Sequence, residues 1–180
     1  MESRTKAFGH PIHPMLIVFP LGLLVTAVIF DLIYLFTRID FFPIASYYNI
    51  AGGIIGGLAA AVFGFIDWLA IPANTRAKRI GLFHGLGNVV LVVLFFASWL
   101  LRRGSPDFIP STTALVFSFL AVGLGTLTAW LGGELVYRLD VAVDRGAHLD
   151  APSSLSGQPI ERTARRTASM PVTGKDHEER

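Results

Sequence analysis

The sequence predicts an all-α protein: a transmembrane up-down four-helix bundle with a disordered C-terminal tail. Three observations carry that expectation. Of 180 residues, 52% are hydrophobic and 16% charged, against about 25% charged in an ordinary soluble domain. Four apolar stretches, at about residues 15–37, 44–71, 80–101 and 110–137, are each long enough to cross a bilayer core, which takes about 20 helical residues. The connections between them are short, so consecutive helices must be antiparallel neighbours. The transmembrane domain is thus expected over residues 14–139, between an N-terminal segment of residues 1–13 and a tail of residues 140–180.

Each element has a local reason. The first apolar run is longer than a signal-peptide core and lacks a small-residue cleavage site, so it reads as an uncleaved helix. Before it stands GHPIHPM, Gly9 to Met15. Each proline there biases the preceding residue toward extended backbone, and a polyproline-like turn of three residues would aim His10 and His13 the same way. Pro14 suits the first helical position, and Pro20, well inside the run, should bend it. The connections Arg38–Pro43, Ala73–Arg79 and Arg102–Phe108 contain Pro, Gly or Asp, good helix punctuation. After Asp140 large apolar residues become sparse and Ser, Thr, Pro and charge dominate, the composition of a disordered segment. Its RRTAS stretch, residues 165–169, resembles a kinase target but reads as solvated tail. No internal repeat is legible.

Backbone in lipid must be hydrogen-bonded internally, so the spans are helices whose faces follow from spacing. Gly53, Gly56, Gly57, Ala60, Gly64 and Asp67 form one stripe on the second helix; small residues so spaced let helices approach closely. On the third, Gly81, His84, Gly85 and Asn88 share a face. On the fourth, Glu134 shares one with Trp130, Leu127 and Gly123. On the first, His13, Pro20, Leu24, Ala27 and Asp31 align. Each helix therefore delivers one ionisable group, His13, Asp67, His84 or Glu134, inward at a single level near one membrane surface. His10 hangs just outside, and Asp31 is expected to stand alone near the opposite surface.

Ionisable groups within a span cost a few kcal/mol and usually serve a function. Three readings are open. His10, His13, Asp67, His84 and Glu134 could ligate a divalent metal ion such as Zn, Fe or Mn. His13 and His84 could be axial ligands of a b-type haem, with Gly81 and Gly85 leaving room for the ring. The same groups could pair structurally, His with carboxylate, or Asp67 and Glu134 with Arg76, Arg79 or Arg138. A conduit from the His13 level to Asp31 has only Asn88, Thr126 and Thr128 as a thin relay.

Charge gives the orientation. Arg4, Lys6, Arg76, Lys78, Arg79, Arg138 and Arg145 lie on the side of the termini, and Arg38, Arg102 and Arg103 on the other. Both termini are therefore expected in the cytoplasm, with the protein in the bacterial inner membrane. The pI of about 9.2 reflects this basic rim, which suits anionic lipid headgroups; nothing points to nucleic acid. With no cysteine, disulfides, iron–sulfur ligation and c-type haem attachment are excluded. Phosphate-binding loops, nucleophile elbows and HExxH are absent, and enzymatic activity stays open.

GHPIHPM, the FDL of Phe30–Leu32, GFIDWLAIP from Gly64, HGLGN from His84 and LGGELVYR from Leu131 together resemble the bacterial family called domain of unknown function 2231, over about residues 8–145. The resemblance implies a four-helix integral membrane protein without an established activity. Some relatives are fused to or stand beside Rieske-type iron–sulfur domains, which implies membrane redox work. The family's recurrent polar positions correspond to His10, His13, Asp31, Asp67, His84 and Glu134. Where many relatives continue with a His-Gly-Val-type sequence, this chain has Arg138-Leu139-Asp140-Val141. The functional expectation is a redox-associated subunit with a redox partner protein; the alternative is a non-catalytic scaffold or partner subunit, or a homo-oligomer.

Overall fold

The computed structural model describes residues 1–158. Helices α1 (Ile12–Leu16) and α2 (Val18–Thr37) run nearly on from one another, followed by α3 (Phe41–Ala70), α4 (Arg76–Arg102) and α5 (Thr112–Gly133). Four segments, Ile12–Thr37, Phe41–Ala70, Arg76–Arg102 and Pro106–Arg138, are long and apolar enough to cross a membrane. Phe19, Leu21, Ile55, Leu58, Val62, Phe65, Phe83, Val93 and Leu120 are exposed around the bundle. So large an apolar surface belongs against acyl chains.

Local chemistry sets the boundaries. The break at Ile17 between α1 and α2 follows from Pro20, which has no N–H to give the carbonyl four residues back, Leu16. Thr75 and Ser111 cap α4 and α5, their hydroxyls accepting from the N–H groups of Lys78 and Ala114 at 3.1 and 3.2 Å. α5 runs on into a wider π-helical turn at Glu134–Arg138.

Two expectations about the N-terminal segment change. Strands β1 (Lys6–Ala7) and β2 (His10–Pro11) form an antiparallel hairpin. Its turn residues Phe8 and Gly9 both have positive φ, as a two-residue hairpin turn requires. The helix then starts at Ile12, before Pro14. His10 and His13 thus lie on different elements and part company.

At the opposite end of the bundle, Asp31 does not stand alone. Arg102, expected in a connection, lies at the last turn of α4 with no exposed surface, and its two Nη atoms bind both oxygens of Asp31 at 2.7 and 2.6 Å. The remaining guanidinium donors reach Ser46 of α3 (3.1 Å), Ser98 of α4 and Ser118 of α5 (both 3.3 Å). Four long helices meet in this knot. Between the knot and the termini, Leu24, Ala27, Val28, Ile50, Ile54, Phe95 and Ala121 form the apolar core.

Close approaches occur at five of the six glycines from which helix packing is expected, Gly53, Gly56, Gly57, Gly64, Gly81 and Gly85. A Cβ at Gly53 would stand 2.5 Å from Leu24, at Gly56 3.1 Å from Phe19, at Gly57 3.4 Å from Val92, at Gly64 2.8 Å from His13, and at Gly81 2.8 Å from Trp68. Gly85 is the correction: it faces open space, so it neither packs a helix nor makes room inside the bundle. Gly87, whose Cβ would meet Thr128 at 2.5 Å, has the close approach instead. Gly53→Ala should therefore destabilise the protein by about 1–3 kcal/mol through overpacking against buried Leu24. Gly85→Ala should be neutral or stabilise by up to about 1 kcal/mol. Denaturation of both variants in detergent micelles checks the contrast.

Candidate functional site

The end of the bundle that carries the N-terminal segment holds the two histidines. His13 lies in α1, and its Nδ1 is 2.8 Å from the carbonyl of Ala60 on α3. His84 lies on α4, and its Nδ1 is 2.8 Å from the carbonyl of Thr128 on α5. A carbonyl only accepts, so Nδ1–H is the donor in both rings, and in the neutral imidazole Nε2 keeps its lone pair. Each bonded carbonyl also serves the helical N–H four residues on, which belongs to Gly64 in α3 and Gly132 in α5. The ring must lie almost on the helix surface to share it, and glycine permits that. A Cβ at Gly132 would stand 3.1 Å from His84 Cε1, as one at Gly64 would crowd His13.

The two imidazoles face one another across the bundle with centroids 6.3 Å apart and planes at 87°. Asn88 lies beside them. Its amide donates to the His84 carbonyl at 2.8 Å and sits 3.4 Å from His84 Nε2, while Thr128 Oγ1 donates to Asn88 Oδ1 at 3.3 Å.

The other expected ligands are taken up elsewhere. Asp67 accepts from Ser3 Oγ (2.7 and 2.8 Å), the Arg4 N–H (2.8 Å) and Thr5 Oγ1 (3.4 Å), so backbone and hydroxyls of the N-terminal segment solvate it, not an arginine. Glu134 pairs with Arg76 at 2.7 Å. Trp130 and Leu127, expected to share its inward face, are exposed, so that face of α5 does not turn into the bundle. His10 is exposed, 3.3 Å from Ser154 Oγ. Among the described residues no three His, Cys, Asp or Glu side chains form a group able to hold a metal ion. The five-residue metal set is not assembled, because each carboxylate already has donors of its own.

The start of the tail is ordered against this end. Val141 is buried with Ile71 and Leu135, and the Ala142 N–H donates to the Met1 carbonyl at 2.7 Å. The RRTAS stretch lies outside the described residues. Lys6 bonds Asp144 and, at 3.1 Å, Glu2. Sequence reasoning missed Arg102, Ser46, Ser98, Ser118, Ser3 and Gly132. For Gly132 a signal existed: it follows Thr128 at the interval by which Gly64 follows Ala60.

The Lys6 hydrogen bond, then the Arg145 N–H, hold the Glu2 carboxyl below its ordinary value of 4.5. The Asp144 hydrogen bond holds the Lys6 ammonium above its ordinary 10.5. The Glu2 contribution is present above the ordinary carboxylate value and lost as pH falls through the lowered one. The Lys6 contribution is present below its ordinary value and lost as pH rises through the raised one. Amide protection of residues 2–7, corrected for intrinsic exchange, should be flat between these two ordinary values and fall on the acid side. A Glu2→Gln variant should lack the acid fall.

A family profile described as a predicted membrane protein, domain of unknown function 2231, matches residues 9–145. No curated protein and no solved structure matches the chain.

Proposed function

The chain belongs to the family of predicted membrane proteins called domain of unknown function 2231, and on that premise we propose that it is a redox-associated subunit of the bacterial inner membrane, with His13 and His84 as the two axial ligands of a b-type haem. What supports this reading is the imidazole pair: ring centroids 6.3 Å apart and both Nδ1 atoms committed to carbonyls, which leaves Nε2 as each ring's electron-pair donor, that of His84 with the Asn88 amide 3.4 Å away. Ligating histidines commonly hold their second nitrogen in this way.

The donor count separates haem from a bare ion. Zinc, iron or manganese held by protein alone calls for three or more side chains, and among the described residues only two converge. A porphyrin brings its own four nitrogens and asks the protein for two axial ones. Bound there, haem would carry one electron at a time for a partner protein. The orientation argument also gains. With Arg102 paired to Asp31, and Arg76 and Lys6 paired on the other side, Arg4, Lys78, Arg79, Arg138 and Arg145 still outnumber Arg38 and Arg103 among the described residues, which supports both termini in the cytoplasm.

One observation favours a second reading. The two Nδ1 bonds tie α1 to α3 and α4 to α5, so the same histidines would also serve as struts in a non-catalytic scaffold. Absorption spectroscopy of the detergent-purified protein, expressed with adequate haem supply, separates the two. A Soret band and a reduced α-band, both lost in His13→Ala and in His84→Ala, are the expected result. A protein that stays folded and colourless overturns haem binding and leaves the scaffold.

A further inference from the structure

His84 precedes Arg102 by 18 residues, the interval that separates His13 from Asp31. The coincidence extends along the whole bundle. Shifted by 71 residues, the buried Leu24, Ala27 and Asp31 of α2 become the buried Phe95, Ser98 and Arg102 of α4. Shifted by 68, Ser46, Ile50, Gly53 and Ala60 of α3 become Ala114, Ser118, Ala121 and Thr128, which are all the buried residues of α5.

The contacts superpose as well as the burial. His13 sits on Gly64 and bonds the Ala60 carbonyl; His84 sits on Gly132 and bonds that of Thr128. Pro20 lies against Gly57, and Leu91 against Gly125. In the first hairpin Ser46 Oγ donates to the Ala27 carbonyl at 3.0 Å. In the second, Ser98 Oγ donates to that of Ala114 at 2.8 Å, the same bond with the two positions exchanging roles.

We infer that α1–α3 and α4–α5 are equivalent hairpins related by a two-fold axis along the bundle, and that Asp31 against Arg102 is the charge code that makes unlike halves pair. Equivalent positions meet across the axis at both ends, His13 with His84 and Asp31 with Arg102. The interaction surface of each hairpin thus fits a second hairpin of the same design. Two first hairpins would bury Asp31 against Asp31, and two second hairpins Arg102 against Arg102, both strongly unfavourable away from water. Parallel repeats about a membrane-normal axis are an established way to build membrane proteins. The inference stands on geometry and is independent of haem.

The test uses the full chain with a protease site in the exposed 72–74 connection, cleaved after purification in mild detergent. Wild-type halves should stay together one to one; spontaneous separation would overturn the inference. Asp31→Arg alone and Arg102→Asp alone should release the halves at least tenfold more than wild type, and the two changes together should restore retention.

Equivalence itself is read by co-expressing a wild-type and an Asp31→Arg chain with different tags. Cleavage should then yield a complex of the two N-terminal halves, Asp31 facing the introduced arginine, at least tenfold above a wild-type-only mixture. If the charge exchange rescues retention but no such complex forms, the pair is an ordinary ion pair between unlike hairpins and the equivalence is wrong.

Discussion

A carboxylate and a guanidinium with no exposed surface, deep in a bundle meant for lipid, constrain everything else in this molecule. Either charge alone would cost several kcal/mol there. Together they form a bidentate pair, and Ser46, Ser98 and Ser118 take up the remaining donors. Charge-assisted bonds of this geometry are among the stronger ones available to side chains. Because the five residues come from α2, α3, α4 and α5, satisfying one arginine sets the relative depth of four helices. Lipid offers helices little apolar reason to associate, so a polar knot of this kind has more authority here than in a water-soluble core.

Depth at one end determines depth at the other. Eighteen residues of helix span about 27 Å at 1.5 Å each, so pinning Asp31 to Arg102 carries His13 and His84 to a common level near the other surface. Glycine then supplies the fine positioning. Gly64 and Gly132 let each ring reach a carbonyl already engaged in its helix, and that bond decides which nitrogen carries the proton. What results is a pair of fixed imidazoles, each with its Nδ1 committed to a carbonyl, and not, among the described residues, a multidentate metal cage. The carboxylates that looked like co-ligands hold the molecule's edges: Asp67 gathers the N-terminal segment, and Glu134 ties α5 to the start of α4 through Arg76.

Apolar run lengths made the four spans readable from the chain, and Pro20 announced the break near Ile17. Helical spacing was enough to bring His13 and His84 to one level and turn them inward. Other features depend on partners that spacing cannot name. Arg102 sits beside Arg103, just before Gly104 and Ser105, and by every local sign belongs to a connection; only Asp31, 71 residues away, makes it a core residue. Glu134 follows Trp130 and Leu127 at helical spacing, but that face is exposed; spacing groups residues on one face without saying which way the face turns. Asp67 finds its donors in a segment with no periodicity of its own. The internal repeat was hidden because equivalent positions are filled by unlike residues: Leu24 and Phe95, Asp31 and Arg102, Ile50 and Ser118. Among the paired positions named, only the histidines, Gly57 with Gly125, and Gly64 with Gly132 keep their identity.

A double-mutant cycle on the knot tests this account most directly, with unfolding free energies in detergent for Asp31→Leu, Arg102→Met and the two combined. Each single change should cost about 3–5 kcal/mol, because it strands the opposite charge, while the combined change should return to within about 1 kcal/mol of wild type. If the two single losses are small, or simply add in the double variant, the buried pair does not organise the bundle and the account fails.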